Sequence, residues 1–97
     1  MKHRFLEITY RRGKPLAAYL YLPRNPGDQA SRTERQNGGL LIDYTEDGRP
    51  IGIEITAPTK ITIADLNQAL SLAQQDPVTP DDFAPLLSGQ SPASASK

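Results

Sequence analysis

The dipeptide Asp47-Gly48 most constrains how this chain can fold, because it is a strong signal for a tight β-hairpin. A type I′ turn centred on these residues needs a positive φ at both, which Asp and Gly tolerate. With the turn there, three apolar pairs share one face of the hairpin: Tyr44 with Ile51, Ile42 with Ile53, and Leu40 with Ile55. The other face pairs Asp43 with Gly52 and Leu41 with Glu54. Turn chemistry and the period-two pattern therefore predict the same register.

A second hairpin is predicted near the start of the chain. Residues 3–10 and 16–22 have extended character and are separated by a polar turn. A three-residue loop over residues 12–14 keeps the apolar side chains on one face, with Tyr10 opposite Leu16, Ile8 opposite Ala18, and Leu6 opposite Leu20. A two-residue turn would mix the faces, because a slip of one residue turns every side chain over. The three-residue loop is therefore the prediction.

The rest of the chain predicts one helix and three irregular segments. Residues 23–39 are polar and rich in Pro and Gly, and we expect a mobile loop there. Thr62 and Asp65 form a capping pattern ahead of an apolar stripe that predicts a helix over residues 63–73. Residues 76–88 predict a short helical turn that starts at Thr79, and residues 89–97 predict a disordered tail rich in Ser, Ala and Pro.

These elements predict a single α+β domain over residues 1–75. Its four-stranded antiparallel sheet consists of the two hairpins, and the C-terminal helix packs on one face. That face carries six apolar side chains: Leu6, Ile8, Leu20, Ile42, Ile53 and Ile55. The arrangement satisfies the requirement that the apolar face of a sheet be covered.

The composition excludes several kinds of site. Cysteine is absent and His3 is the single histidine, so disulfides, thiolate nucleophiles and cysteine-rich zinc sites are excluded, and no cofactor is expected. His3 is expected to be solvated near the chain terminus. There are 11 Lys+Arg and 11 Asp+Glu, so the net charge is zero. Nothing resembles a signal peptide or approaches the ~20 apolar residues of a membrane span, and a cytoplasmic protein is expected.

One segment nearly matches the calcium loop of an EF-hand. Its oxygen-bearing residues and glycine have the required spacing, with threonine where Asp or Asn is usual: Asp43, Thr45, Asp47, Gly48 and Glu54. An EF-hand loop joins two helices, whereas this segment alternates as two strands. Because strand pairing would place Glu54 opposite Leu41 and away from the loop, no metal site is predicted.

Two further patterns have both a functional and a structural interpretation. Glu7, Asp43 and Glu54 share the second sheet face, where paired carboxylates could act as acid and base, but we expect them to be solvated strand residues. Tyr19 and Tyr21 could stack bases beside the basic N-terminal hairpin. The acids on the same face and the zero net charge argue against nucleic acid. Binding of nucleic acid or a small molecule through this hairpin is therefore the alternative function.

The segment from 41 to 55, LIDYTEDGRPIGIEI, resembles the signature hairpin of domain of unknown function family 2283, a family of small bacterial proteins. The run Tyr19-Leu20-Tyr21-Leu22 is similar to a strand of that family, and the resemblance extends over residues 2–56. The chain departs from the family pattern in its basic first turn, its long linker over residues 24–37, and the residues after its last strand. The resemblance implies a fold with two successive hairpins. It implies no catalytic residues, because the family has no established activity.

Without a catalytic constellation, the chain is predicted to be a non-enzymatic module for protein interaction or dimerisation, such as the antitoxin-like half of a bacterial two-protein system. One helix cannot cover both sheet faces, so the second face is the predicted interface: Phe5, Ala17, Tyr19, Tyr21 and Leu41. We expect two copies to pack face to face through it. The alternatives are one other protein partner, or a fold-back of residues 81–87 that lays Phe83, Leu86 and Leu87 on this face.

Overall fold

The computed structural model describes residues 3–82 and confirms an α+β fold with an antiparallel sheet and one helix. The elements are β1 (Phe5–Arg11), β2 (Lys14–Tyr21), β3 (Arg32–Gln36), β4 (Leu40–Tyr44), β5 (Pro50–Ile55) and α1 (Ile63–Leu72). The strands form one sheet in the order β1-β2-β5-β4-β3, and every neighbouring pair is antiparallel. The predicted tail over residues 89–97 and residues 83–88 of the predicted turn lie outside the described residues, and so does most of the alternative fold-back of residues 81–87.

The predicted count of four strands is wrong, because the sheet has five. The additional strand β3 forms inside the stretch 23–39 that was predicted to be a loop. Its sequence, RTERQ, contains no apolar residue and so lacks the period-two signal of a half-buried strand. Instead it pairs along the free edge of β4, from Arg32 opposite Tyr44 to Gln36 opposite Leu40. The Arg32 guanidinium lies 4.4 Å from the centre of the Tyr44 ring.

The β4–β5 hairpin has the predicted interior register and a different turn. Leu40 pairs with Ile55 and Ile42 with Ile53 as predicted. The turn spans Thr45 to Gly48, where the Gly48 N–H donates to the Thr45 carbonyl at 3.0 Å and Gly48 has a φ of 90°. Asp47 does not share the positive φ that a type I′ turn would require of it. A bulge then pairs Tyr44 with Pro50 and not with the predicted Ile51.

The β1–β2 hairpin also combines a correct register with an unexpected turn. Leu6 pairs with Leu20 and Ile8 with Ala18, as predicted. The turn itself has two residues, Arg12 and Gly13, with φ values of 55° and 79°. The predicted three-residue loop is therefore wrong. A bulge at Leu16 absorbs the extra residue, because Tyr10 pairs with Pro15 while Thr9 still pairs with Ala17.

Helix α1 covers one face of the sheet. Its N-cap is Thr62, whose hydroxyl accepts a hydrogen bond from the Asp65 N–H at 3.0 Å, as the sequence predicts. Leu66, Ala69 and Leu70 of the helix are buried. They join a core of sheet side chains that includes Ala18, Leu20, Leu40, Ile42, Ile53 and Ile55, and Leu6 and Ile8 pack against it partly buried. The predicted core face of the sheet is thereby confirmed.

The chain leaves α1 through a left-handed turn and is then anchored back to the helix. Gln74, with a φ of 59°, donates its N–H to the Ser71 carbonyl, and Gln75 donates to the Leu70 carbonyl. These two bonds form a Schellman motif. The Asn67 side chain accepts from the Val78 N–H at 2.8 Å and donates to the Val78 carbonyl at 3.3 Å. Within residues 3–82, no helix has the length and apolarity needed to cross a membrane.

Candidate interaction face

The sheet face opposite α1, called the open face here, carries two rows of side chains that run across all five strands. One row contains Glu7, Tyr19, Glu54, Leu41 and Arg35. The second row contains Phe5, Tyr21, Gly52, Asp43 and Thr33. Ala17 continues the same face beside Thr9. The structure thus brings together on one face all five residues of the predicted interface: Phe5, Ala17, Tyr19, Tyr21 and Leu41.

Gly52 at the centre of the open face makes room for the Tyr19 side chain. A Cβ atom at position 52 would lie 1.9 Å from the Tyr19 hydroxyl oxygen and 2.3 Å from its Cζ atom. Because glycine has no Cβ, the Tyr19 ring extends over β5 from β2 and reaches β4. There the Tyr19 hydroxyl donates a hydrogen bond to Asp43 Oδ2 at 2.7 Å. The Thr33 hydroxyl donates to the second oxygen, Asp43 Oδ1, at 2.6 Å.

This chain of hydrogen bonds joins β2, β4 and β3 across the sheet. Asp43 is partly buried and accepts two hydrogen bonds, so the prediction of a merely solvated carboxylate is wrong at this position. Burial of the phenol raises the pKa of Tyr19, and the hydrogen bond to the Asp43 carboxylate raises it further. Both effects favour the neutral phenol, which remains a hydrogen-bond donor at physiological pH.

Three aromatic rings form a contiguous cluster on the β1–β2 side of the open face. The ring centres of Tyr19 and Tyr21 are 4.7 Å apart in an edge-on arrangement, and those of Phe5 and Tyr21 are 5.8 Å apart. The Tyr21 hydroxyl donates to Glu7 Oε1 at 2.9 Å, and this bond raises the pKa of Tyr21. The Arg24 guanidinium lies 5.3 Å from the centre of the Tyr21 ring.

The aromatic rings of the cluster are partly exposed, whereas the tyrosine hydroxyls are hydrogen-bonded to side chains of the same face. Phe5 is 57% exposed, Tyr21 is half-buried, and both tyrosine hydroxyls donate to carboxylates of the same face. The ten positions of the two rows carry three carboxylates, on Glu7, Asp43 and Glu54, and one guanidinium, on Arg35. The Glu54 side chain is exposed on β5, the central strand. The open face thus carries an aromatic cluster and, in its two rows, more acids than bases.

The basic residues of the β1–β2 turn do not lie beside the tyrosines with which the alternative function would combine them. Arg12 and Gly13 form the β1–β2 turn, with Arg11 and Lys14 on either side, whereas Tyr21 ends β2 at its opposite end. The tyrosine hydroxyls donate to acids, and acids repel phosphate. The structure therefore places the basic residues of the β1–β2 turn away from Tyr21, and the base beside that ring is Arg24.

The residues that nearly match a calcium loop lie apart from one another on the β4–β5 hairpin. Asp43 lies on the open face, and Glu54 is exposed on β5 opposite Leu41, as the strand interpretation predicts. Asp47 accepts hydrogen bonds from the Thr45 hydroxyl and from Arg49 Nε. In the part of the chain that the structure describes, no group of three or more His, Asp or Glu side chains is arranged to hold a metal ion.

An ion pair that the sequence analysis did not find ties the segment before β3 to the β4–β5 turn. Arg49 donates from both of its terminal nitrogens to the two Asp28 oxygens, each at 2.8 Å. Asp28 also accepts from the Asn25 N–H at 2.9 Å. The Arg49 hydrogen bonds, with that of Asn25, lower the pKa of Asp28 to about 2. The segment between β2 and β3 is therefore attached to the hairpin at a defined point.

Sequence reasoning also missed the roles of Gly52 and Thr33. A glycine inside a strand often marks the close approach of another group, so Gly52 carried a usable signal. Thr33 carried none, because β3 itself was not predicted.

Comparison with known proteins identifies a family for the central part of the chain. The model of a family described as "Protein of unknown function (DUF2283)" matches residues 17–57, which run from β2 through β5. Searches of the curated proteins and of the solved structures gave no significant match. The hydrogen-bonded residues Tyr19, Thr33 and Asp43, with Gly52, all lie inside the matched segment. The resemblance drawn from the β4–β5 hairpin is thus confirmed: residues 17–57 of this chain match the model of the DUF2283 family, whose function is unknown.

Proposed function

We propose that the protein is a non-enzymatic interaction module whose open face binds a partner protein. The observation that carries the proposal is the cluster of Phe5, Tyr19 and Tyr21 on the sheet face that α1 leaves uncovered. Aromatic residues with a polar tip are enriched at protein interfaces, because they combine a large apolar area with a hydrogen-bonding group.

The hydrogen bonds within the open face favour its burial by a partner. A polar group that loses water without gaining a partner costs free energy. The hydroxyls of Tyr19 and Tyr21 already donate to Asp43 and Glu7, so a partner can cover the rings without leaving these donors unpaired. The same bonds occupy Asp43 and Glu7, two of the three carboxylates that were candidates for acid–base chemistry. This supports an interaction role over catalysis.

The charges of the open face favour a partner whose contact surface is apolar with basic residues. Glu7 and Glu54 flank Tyr19 in one row and are both exposed. Two copies packed face to face would bring these acids into one interface, with Arg35 in the two rows of each copy and Arg24 beside Tyr21 as the bases. Like charges in a desolvated interface are unfavourable. A different protein with complementary charge, such as the other half of a two-protein system, therefore fits this face better than a second copy.

The proposal is tested by affinity enrichment from an extract of the source cells with three versions of the tagged protein. Tyr21→Lys removes the central ring and keeps a donor for Glu7. Leu72→Lys is the matched control, because Leu72 is a 55% exposed apolar residue on α1. We expect a protein that the wild type and Leu72→Lys retain and Tyr21→Lys loses, with all three versions showing the same circular dichroism. Equal retention by all three, or no retained protein, would contradict the proposal.

A further inference from the structure

Strand β1 is a long edge strand with little of the protection that edge strands usually have. It ends the sheet on one side, while β3 ends it on the other. Charged residues occupy three of the five positions of β3 but two of the seven positions of β1. The bulge of the β1–β2 hairpin is at Leu16 of β2, so β1 itself has no inserted residue. Charges, prolines and bulges are the features that normally prevent edge strands from pairing.

We propose that two copies of this chain form a dimer by pairing β1 with β1 in antiparallel orientation, around a two-fold axis at Ile8. This register pairs all seven residues of the strand: Phe5 with Arg11, Leu6 with Tyr10, Glu7 with Thr9, and Ile8 with Ile8. The apolar pairs, Leu6 with Tyr10 and Ile8 with Ile8, lie on the core face of the sheet. No two like charges are opposed. The dimer has one continuous sheet, to which each chain contributes its five strands.

The other two-fold registers are less favourable. Residues opposed across the axis must point to the same side of the sheet, so the axis can lie at a residue but not between two neighbours. An axis at Glu7 opposes two carboxylates directly, which is destabilising. An axis at Thr9 places Phe5 and Leu6 beyond the end of the partner's strand. The axis at Ile8 is the register that uses the whole strand without a charge conflict.

Exposure along β1 agrees with this pairing. Phe5 is 57% exposed and Tyr10 is 38% exposed, and Leu6 and Ile8 are only partly buried. Ile53 of β5 and Ile42 of β4 lie in the same row as Leu6 and are fully buried. The apolar residues of the core face are therefore only partly covered where the sheet ends at β1. A second copy would extend that row with Tyr10, Ile8 and Leu6 of its own β1.

The edge dimer does not depend on the proposed function of the open face, and it leaves that face accessible. Because a two-fold axis perpendicular to the sheet keeps each face on its own side, the two open faces would adjoin and form one surface. A partner of the open face could then contact two copies at once.

The test uses opposite charges at position 9. Thr9 is exposed, and in the proposed register each copy places it opposite Glu7 of the other. Thr9→Glu creates two repulsive pairs and is expected to weaken the dimer about tenfold, whereas Thr9→Lys creates two attractive pairs and is expected to strengthen it. Sedimentation velocity of the full chain over a concentration series measures both effects, and circular dichroism confirms that each variant is folded.

Four results would overturn the proposal. A wild-type chain that is monomeric at several hundred micromolar has no edge dimer. If both Thr9 variants weaken the dimer, the axis lies at Thr9, because the introduced charge would then face the same charge on the second chain. A dimer that neither Thr9 variant affects but Tyr21→Lys dissociates would place the contact on the open face. A monomer that dimerises only when residues 83–97 are removed would assign the edge to that segment.

Discussion

Replacing Gly52 with alanine tests whether the space over this residue holds the open face together. The added methyl group would overlap the Tyr19 hydroxyl and ring, at 1.9 Å from the oxygen and 2.5 Å from Cε2. Position 52 is buried in the central strand, so the backbone has little freedom to move away. The Tyr19 ring must therefore turn aside, and its hydrogen bond to Asp43 is lost.

The size of the effect follows from three contributions. Loss of a hydrogen bond to a charged group costs about 1.5–3 kcal/mol, and we take the lower value because Asp43 is only partly buried. Overpacking of the ring adds about 1 kcal/mol. Alanine in a strand is about 0.5–1 kcal/mol more favourable than glycine. The expected net loss of stability for Gly52→Ala is therefore about 2 kcal/mol.

A double-mutant cycle separates this mechanism from a general intolerance of β5. Without the Tyr19 ring, in a Tyr19→Ala background, the same Gly52→Ala change should stabilise the protein by about 0.5–1 kcal/mol. The gain from alanine is present in both backgrounds and cancels, so the expected coupling energy is about 2.5 kcal/mol, from the lost hydrogen bond and the overpacking. Urea unfolding followed by far-ultraviolet circular dichroism at neutral pH measures the four free energies of unfolding.

The reasoning fails if Gly52→Ala has the same effect in both backgrounds. An equal loss would mean that the methyl group conflicts with the backbone and not with Tyr19. A change of less than ~0.5 kcal/mol in both would mean that the ring is displaced without cost.

Three further predictions concern single groups. Gln74→Gly should stabilise the protein by about 0.5–1 kcal/mol in thermal unfolding, because Gln74 has a φ of 59° at the left-handed position after α1; no gain over Gln74→Ala would contradict this. The pKa of Tyr19 is raised above its ordinary 10.0, so the stability that its neutral phenol contributes is complete below pH 10 and is lost as the pH rises further. An alkaline titration of tyrosine absorbance should show a late phenol that is absent from Tyr19→Phe. The pKa of Asp28 is lowered from 3.8 to about 2, so its contribution is complete above pH 3.8 and is lost toward pH 2. Arg49→Gln should raise that pKa in a carboxyl NMR titration, and an unchanged value would exclude the ion pair.

The strand registers were predictable because two independent signals agreed. Alternation of apolar residues and the position of the turn residues both select the pairing of Ile42 with Ile53, and alternation alone selects that of Leu6 with Leu20. The turns themselves were not predictable from these signals. Bulges at Leu16 and Ile51 shift the pairing by one residue next to each turn without changing the strand interiors.

The fifth strand and the hydrogen bonds of the open face were less accessible to sequence reasoning. Strand β3 has no apolar pattern, and it is ordered by pairing with the edge of β4. The membership of the open face followed from strand alternation, which correctly placed Tyr19, Asp43 and Gly52 on one side. Their contact depends on a ring reaching diagonally over a missing Cβ, and only the three-dimensional arrangement shows it.

The position of β5 has a consequence for the order in which the chain folds. Strands β3, β4 and β5 are consecutive neighbours, so their pairing needs only short loops to close. The β1–β2 hairpin is equally local, but it joins the sheet through pairs such as Ala18 with Ile55, which are distant in the chain. Closing that large loop carries the main entropic cost of folding. The central strand is also the last strand to be synthesised, so the two halves of the sheet have no common neighbour until Ile55 has emerged. We therefore expect the rate-limiting step of folding to be the docking of the β1–β2 hairpin onto β5.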